Sequence, residues 1–204
     1  MRGRVEALPG ETPARIVKML DVLERSGATM EEATGRVDEM VRRMRSFARL
    51  DEARVQHVSL ARCVEDAIAV VSHRVPDDVA IVVEAPAQDE VRGDPASLNQ
   101  LIVNVLNNAV DAVGDAGRID VRLRLDEDVA TLVIEDDGAG MTEEAVARAF
   151  DPGFTTKGVG VGAGLGLAIA YQIAEQHDGG ITIASEGLGR GSTVTLQLPQ
   201  GEPA

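Results

Sequence analysis

Residues 151–170 read DPGFTTKGVGVGAGLGLAIA, six glycines in twenty positions followed by an abrupt apolar run. Glycine lets main-chain N–H groups approach a ligand and adopt positive φ. A helix start adds orphan N–H groups and a partial positive charge. Together they describe a phosphate cradle at a helix N-terminus. A flexible surface loop has the same composition, so the rest of the chain has to decide.

The 204 residues allow one good core, or a core with a helical appendage. Apolar residues make up 44%, which is a folding composition. Aromatics are 2% and tryptophan is absent, so the core must be aliphatic. A net charge of −14 argues against a nucleic-acid surface, which needs a basic patch. The single cysteine, Cys63, excludes an internal disulfide framework and fits a reducing cytoplasm. No signal peptide opens the chain, and no apolar run reaches the roughly 18 residues of a membrane helix.

Outward from the glycine-rich stretch, the pattern divides the chain at residue 55. Before it, PARIVKMLDVLERSG from Pro13 places Ile16, Met19, Leu20 and Leu23 on one helical face. Thr29 and Glu32 form a capping box for a second helix to about residue 54, with Val37, Met40, Val41, Met44, Phe47 and Leu50 at spacings of three and four. Residues 1–55 therefore read as an amphipathic helical hairpin, with too little core to stand alone, that pairs with a second copy or lies on the following domain. Arg42, Arg43 and Arg45 form either a solvated face or a docking face for an acidic partner.

Residues 56–204 read as a mixed α/β domain. The expectations are a short strand ending at Ser59, a helix over 60–73, a β-branched strand over 79–85 and a helix from Pro95 to about Val113 capped by Asp94. A hairpin follows over GRIDVRLRLDED and VATLVIEDDG, its second strand more uniformly apolar and hence central. Thr142 caps a short helix to residue 150; a helix runs from the glycines to about His177; and GITIASEG with GSTVTLQLP closes the chain as a hairpin. The fold class is α+β: a two-layer α/β sandwich, with one helix layer on a mixed, largely antiparallel sheet, preceded by the helical hairpin.

Three stretches carry chemistry. In LNQLIVNVLNNAVDAV (98–113), Asn104 and Asn108 are four apart and share a helix face. Amides on a core helix need polar partners, either a metal–phosphate ligand or a backbone network. In EDDGAGM (135–141), Asp136 ends an apolar strand, where a buried carboxylate can accept from an exocyclic amine; an ordinary Asp-Gly turn is the alternative. In FDPGFTTK (150–157), Lys157 can meet a phosphate as a point charge, with Thr155 and Thr156 adding hydroxyls, or it can be a solvated loop lysine.

It is the order of these stretches that is specific. NVLNNAVDAV resembles the asparagine box, DDGAGM the first glycine box, FDPGFTTK the phenylalanine box and GAGLGL the second glycine box of sensor histidine kinases. Those kinases belong to the gyrase-type, or Bergerat, ATP-binding superfamily. The resemblance covers roughly residues 56–199 and includes EQHDGGITIASEG; MRSFAR (44–49) is similar to the second helix of the family's dimerisation hairpin. The resemblance implies ATP as substrate and Mg²⁺ as cofactor, with Asn104 and Lys157 carrying the catalysis. Asn104 would hold the metal and Asn108 would contact the nucleotide nearby. Asp136 would accept from the adenine amino group, with Gly138 and Gly140 shaping that side of the pocket. Lys157 and Thr156 would reach from a mobile lid. Gly162, Gly164, Leu165 and Gly166 would bring backbone N–H groups to the phosphates. A response-regulator receiver domain and a homodimer through the hairpin are the implied partners.

Gln100 stands where the gyrase branch carries a glutamate base, and a neutral amide cannot take a proton from water. Transfer to a protein side chain is therefore expected over dedicated hydrolysis. The acceptor histidine of the family's first hairpin helix is missing: Leu8 occupies its place, and only His57, His73 and His177 occur. Truncation of the acceptor helix, an acceptor on a separate partner, and outright loss are the three explanations. Two rival readings remain: a Ser/Thr kinase of the anti-sigma type, and an ATP-binding scaffold that transfers nothing.

Overall fold

The computed structural model describes residues 55–86, 89–126, 128–157 and 164–200. The expected helical hairpin of residues 1–55 lies almost wholly outside the described residues, and so does Gly162 of the expected phosphate loop.

The described elements are β1 (Gln56–Ser59), α1 (Leu60–Val71), β2 (Asp78–Glu84), β3 (Glu90–Gly93), α2 (Pro95–Val113), β4 (Ala116–Leu125) and β5 (Val129–Asp136), followed by α3 (Glu143–Ala147), α4 (Gly166–Gln176), β6 (Gly180–Ala184) and β7 (Ser192–Pro199). A short 3₁₀ turn, Ser72–Arg74, follows α1. The main sheet has the order β2-β4-β5-β7-β6. Within it the β2–β4 pair is parallel and the other pairs are antiparallel. Strands β1 and β3 form a small antiparallel pair of their own. The sandwich read from the sequence is this architecture, with α1, α2 and α4 packed as one layer.

Local chemistry fixes each helix start. Ser59 accepts from the Arg62 N–H at 3.1 Å to cap α1. Asp94 accepts from the Ser97 N–H at 2.9 Å to cap α2, with Pro95 in the first turn. Thr142 accepts from the Ala145 N–H at 3.2 Å to cap α3, which ends at Ala147, earlier than the pattern predicts. Helix α1 is apolar at Leu60, Cys63, Val64, Ala67 and Val71; α2 buries Leu98, Leu101, Ile102, Val105, Leu106, Ala109 and Val110. These stripes meet Ile119, Val121 and Leu123 of β4 and Leu132 and Ile134 of β5 in one aliphatic cluster. Cys63 is part of it, and burial, with Asp66 and Asp89 adding to it, pushes its thiol up to about 11, which makes it an inert packing residue.

The central place of β5 is as the sequence predicts, but the strand alternates: Ala130, Leu132, Ile134 and Asp136 are buried, and Val129, Thr131 and Val133 are half-buried. Among the described residues, helices cover only one face of the sheet. The other carries pairs such as Arg118–Asp120, at 2.7 Å, and Arg122–Glu135. Helix α4 closes with the bonding of a Schellman cap: Gly179 N–H to Ala174 O at 3.0 Å and Asp178 N–H to Glu175 O at 3.1 Å. Asp178 holds a φ of +53° there, a place usually taken by glycine.

Candidate functional site

Asn104 and Asn108 lie one turn apart on α2. A Cβ added to Gly166, at the start of α4, would sit 3.9 Å from Asn104 Oδ1 and 3.9 Å from Asn108 Nδ2. The two amides thus face the first turn of α4. That turn differs from the starts of α1, α2 and α3: its N-cap, Leu165, provides no side-chain cap bond. The N–H groups at the start of α4 are thus left without a side-chain cap, as an anion site requires. Asn104 Nδ2 is buried and has no hydrogen-bond partner, one of three such side-chain atoms among the described residues. A buried unmet amide is costly unless a ligand completes it.

The loop that brings Lys157 to this place is held at its base. Gly153 N–H donates to Gly164 O at 3.0 Å. Gly164 has a φ of +64°, and a Cβ there would lie 2.5 Å from Phe154 O. A side chain is excluded on both counts. Phe150 packs on Tyr171 of α4 with ring centroids 5.5 Å apart, and the Arg148 guanidinium lies 4.5 Å over the Phe154 ring. Thr155 Oγ1 accepts from the Lys157 N–H at 3.1 Å; Thr156 is exposed between them. The Lys157 ammonium reaches back to α2, donating to Asn108 Oδ1 at 3.4 Å and pairing with Asp111.

Asp136, at the end of β5, is 8% exposed. Burial pushes its carboxyl above its ordinary value, while N–H groups of Gly138 and Ser192 pull it back and Asp137 and Glu135 add to the rise. The Gly138 N–H donates to Asp136 Oδ1 at 3.0 Å. A Cβ on Gly138 would fall 2.3–2.6 Å from backbone atoms of Ala112 and Val113, so the loop lies directly on the end of α2. Ala139 N–H bonds Ala112 O at 2.9 Å. Gly140 passes Gly187 O of the β6–β7 turn. The neighbouring Asp137 is structural: its Oδ1 accepts from the Arg118 N–H at 2.8 Å.

Asn104, Asn108, Lys157, Leu165 and Gly166 therefore converge at the first turn of α4, while Asp136, Gly138 and Gly140 build a second region packed on the end of α2. Sequence reasoning misses Arg74 here, and it places Asp111 near the pocket only as a group to orient a water or Asn108. Asp111 Oδ1 accepts from Arg74 at 2.7 Å, and Arg74 also donates to Asn107. The signal for Asp111 is present in the spacing Asn104, Asn108, Asp111, one helix face at four and three residues. His177, on the end of α4, is an internal tie. Its Nε2 accepts from the Asp94 N–H at 3.0 Å and its Nδ1 donates to Ile173 O at 2.7 Å, which fixes the tautomer. His57 and His73 are exposed.

An amide oxygen such as that of Asn104 is a fitting ligand for a hard cation that arrives with phosphate oxygens of its own. Among the described residues there is no group of three or more His, Cys, Asp or Glu placed to hold a metal. No described helix is long and apolar enough to cross a membrane.

Residues 93–202 match the family described as histidine kinase-, DNA gyrase B-, and HSP90-like ATPase. Sporulation kinase E of Bacillus subtilis (strain 168) is 39% identical over 107 residues, 52% of this chain and 14% of that protein. The mycobacterial sensor histidine kinase MprB superposes with a TM-score of 0.65 at 28% identity, covering 74% of this chain and 100% of that one. Histidine kinase ThkA, solved in complex with response regulator protein TrrA, gives a TM-score of 0.69 at 17% identity over 94% of this chain and 53% of that one, a likeness of fold. The chain thus spans about a seventh of the length of the first of these relatives. Its motifs, its sheet order and the match over residues 93–202 agree: this chain belongs to the histidine kinase-, DNA gyrase B- and HSP90-like ATPase family, in its sensor histidine kinase branch.

Proposed function

We propose that the chain binds Mg-ATP in the cleft between α2 and α4 and passes the γ-phosphate to a protein side chain in two-component signalling. The observation that carries this reading is the convergence of Asn104, with its buried unpartnered amide, and the uncapped start of α4. Asp136 accepts from the adenine amino group, which selects adenine over guanine. The α4 start, Asn108, Lys157 and Thr156 orient the phosphates, and Gly162 and Gly164 bring the loop backbone to them. Mg²⁺, held by Asn104, would neutralise phosphate charge. Catalysis then rests on positioning and charge neutralisation rather than on a base. Gln100, one turn before Asn104, is a neutral amide and leaves water unactivated, which favours transfer over hydrolysis.

His177 is a poor acceptor, because both ring nitrogens are engaged inside the domain. The complex of ThkA with response regulator protein TrrA supports a receiver domain as partner, and the pattern of residues 29–54 alone supports a homodimer. A cytoplasmic location accords with this chemistry, since ATP is its substrate. The test is incubation of the full chain with γ-labelled ATP, Mg²⁺ and candidate receivers. Label transferred to protein supports the kinase reading. ATP binding with no transfer to any receiver or histidine-containing partner would leave the scaffold reading in its place.

A further inference from the structure

Asp111 stands between two cations and its two oxygens are divided between them. Oδ1 accepts from Arg74 at 2.7 Å and Oδ2 pairs with Lys157. Arg74 is itself braced by Asn107, one turn before Asp111. The Asp111 side chain is 29% exposed and that of Lys157 33%, so the pair is neither desolvated nor fully screened. The same ammonium lies 3.4 Å from Asn108 Oδ1, and the other end of the Asn108 amide faces the start of α4. Lys157 therefore rests on a carboxylate beside the place assigned to the phosphates.

We infer that Asp111 is a positioning residue that seats Lys157 when no nucleotide is bound, and that a nucleotide phosphate must displace it. Arg74 keeps Asp111 in place and compensated after Lys157 leaves, so the carboxylate stays close to the phosphates without an unpaired charge. Nucleotide affinity is then set by a contest between carboxylate and phosphate for one ammonium. The inference rests on the nucleotide reading of this site.

Partly exposed ion pairs are weak, so release of Lys157 should tighten binding by about two- to fivefold. The experiment is calorimetric titration of the full chain with Mg²⁺ and a non-hydrolysable ATP analogue. Asp111→Asn should bind about two- to fivefold more tightly than the unsubstituted chain, and Asp111→Glu should restore the original affinity. In a Lys157→Met background, Asp111→Asn should gain less than half as much. Unchanged or weaker binding by Asp111→Asn overturns the inference while the nucleotide site stands. An equal gain with and without Lys157 also overturns it, since the effect would then be general repulsion. No binding by the unsubstituted chain overturns the site and the seat together. Unfolding midpoints without nucleotide separate these effects from misfolding.

Discussion

Asp136→Asn separates the role of the carboxylate in binding from its role in folding. The substitution keeps the size of the side chain and an oxygen to accept the Gly138 N–H bond, now 3.0 Å long. It replaces an ionised acceptor with an amide that can turn a donor towards the adenine amino group. A hydrogen bond to a charged group contributes about 1.5–3 kcal/mol. Its loss should weaken ATP about 10- to 150-fold. Stability should move the other way or hardly at all. Burial raises the carboxyl above its ordinary value, so the folded state holds the proton more tightly than the unfolded chain does. The ionised carboxylate therefore costs stability above the folded value, and the cost is relieved as pH falls through it. Asp136→Asn removes that cost at all pH, so its advantage over the unsubstituted domain should be present at neutral pH and shrink in acid. ATP affinity of the unsubstituted chain should fall through the same window, which lies above that of an ordinary carboxylate. Calorimetric titration with ATP and GTP, alongside denaturant unfolding, reads all of this. Unchanged ATP affinity in Asp136→Asn, or a loss matched by an equal loss of stability, would refute the reasoning.

Gly138→Ala should destabilise the domain by about 1–3 kcal/mol, because its Cβ would meet helix backbone at 2.3–2.6 Å, where nothing flexible can yield; urea unfolding measures it. Asp178→Gly should raise stability by up to about 1 kcal/mol, by relieving a left-handed backbone at the cap of α4, seen as a higher unfolding midpoint with ATP affinity unchanged. His177→Phe should lower stability by about 1–3 kcal/mol, because the Asp94 N–H loses its acceptor, while phosphate transfer per folded molecule is retained in the labelling assay.

Much of this domain was legible in the sequence, because its signals are local. Ser59, Asp94 and Thr142 cap helices where their residue types predict, since a short polar side chain at a helix start meets donors two or three residues away. Strand positions followed from β-branched runs, and the asparagine spacing put two amides on one face. What stayed hidden depends on contacts between distant segments. The alternation of β5 matches a sheet face that no described helix covers, which a run of apolar residues cannot reveal. The Arg74–Asp111–Lys157 cluster joins residues 37 and 46 positions apart, and only the approach of the turn after α1 and of Lys157 to α2 brings them together. For His177 the resemblance implies a structural role, but its partner Asp94 lies 83 positions away and has no local signature.

The central claim is that ATP occupies the cleft with its adenine on Asp136 and its phosphates at the start of α4. A crystal structure of the chain with Mg²⁺ and a non-hydrolysable ATP analogue tests it most directly. The account predicts the adenine amino group within hydrogen-bond distance of the Asp136 carboxylate and phosphate oxygens against the Gly166 turn, with the metal on Asn104. Nucleotide bound elsewhere, or a cleft filled by protein side chains with Asn104 satisfied from within, would contradict it.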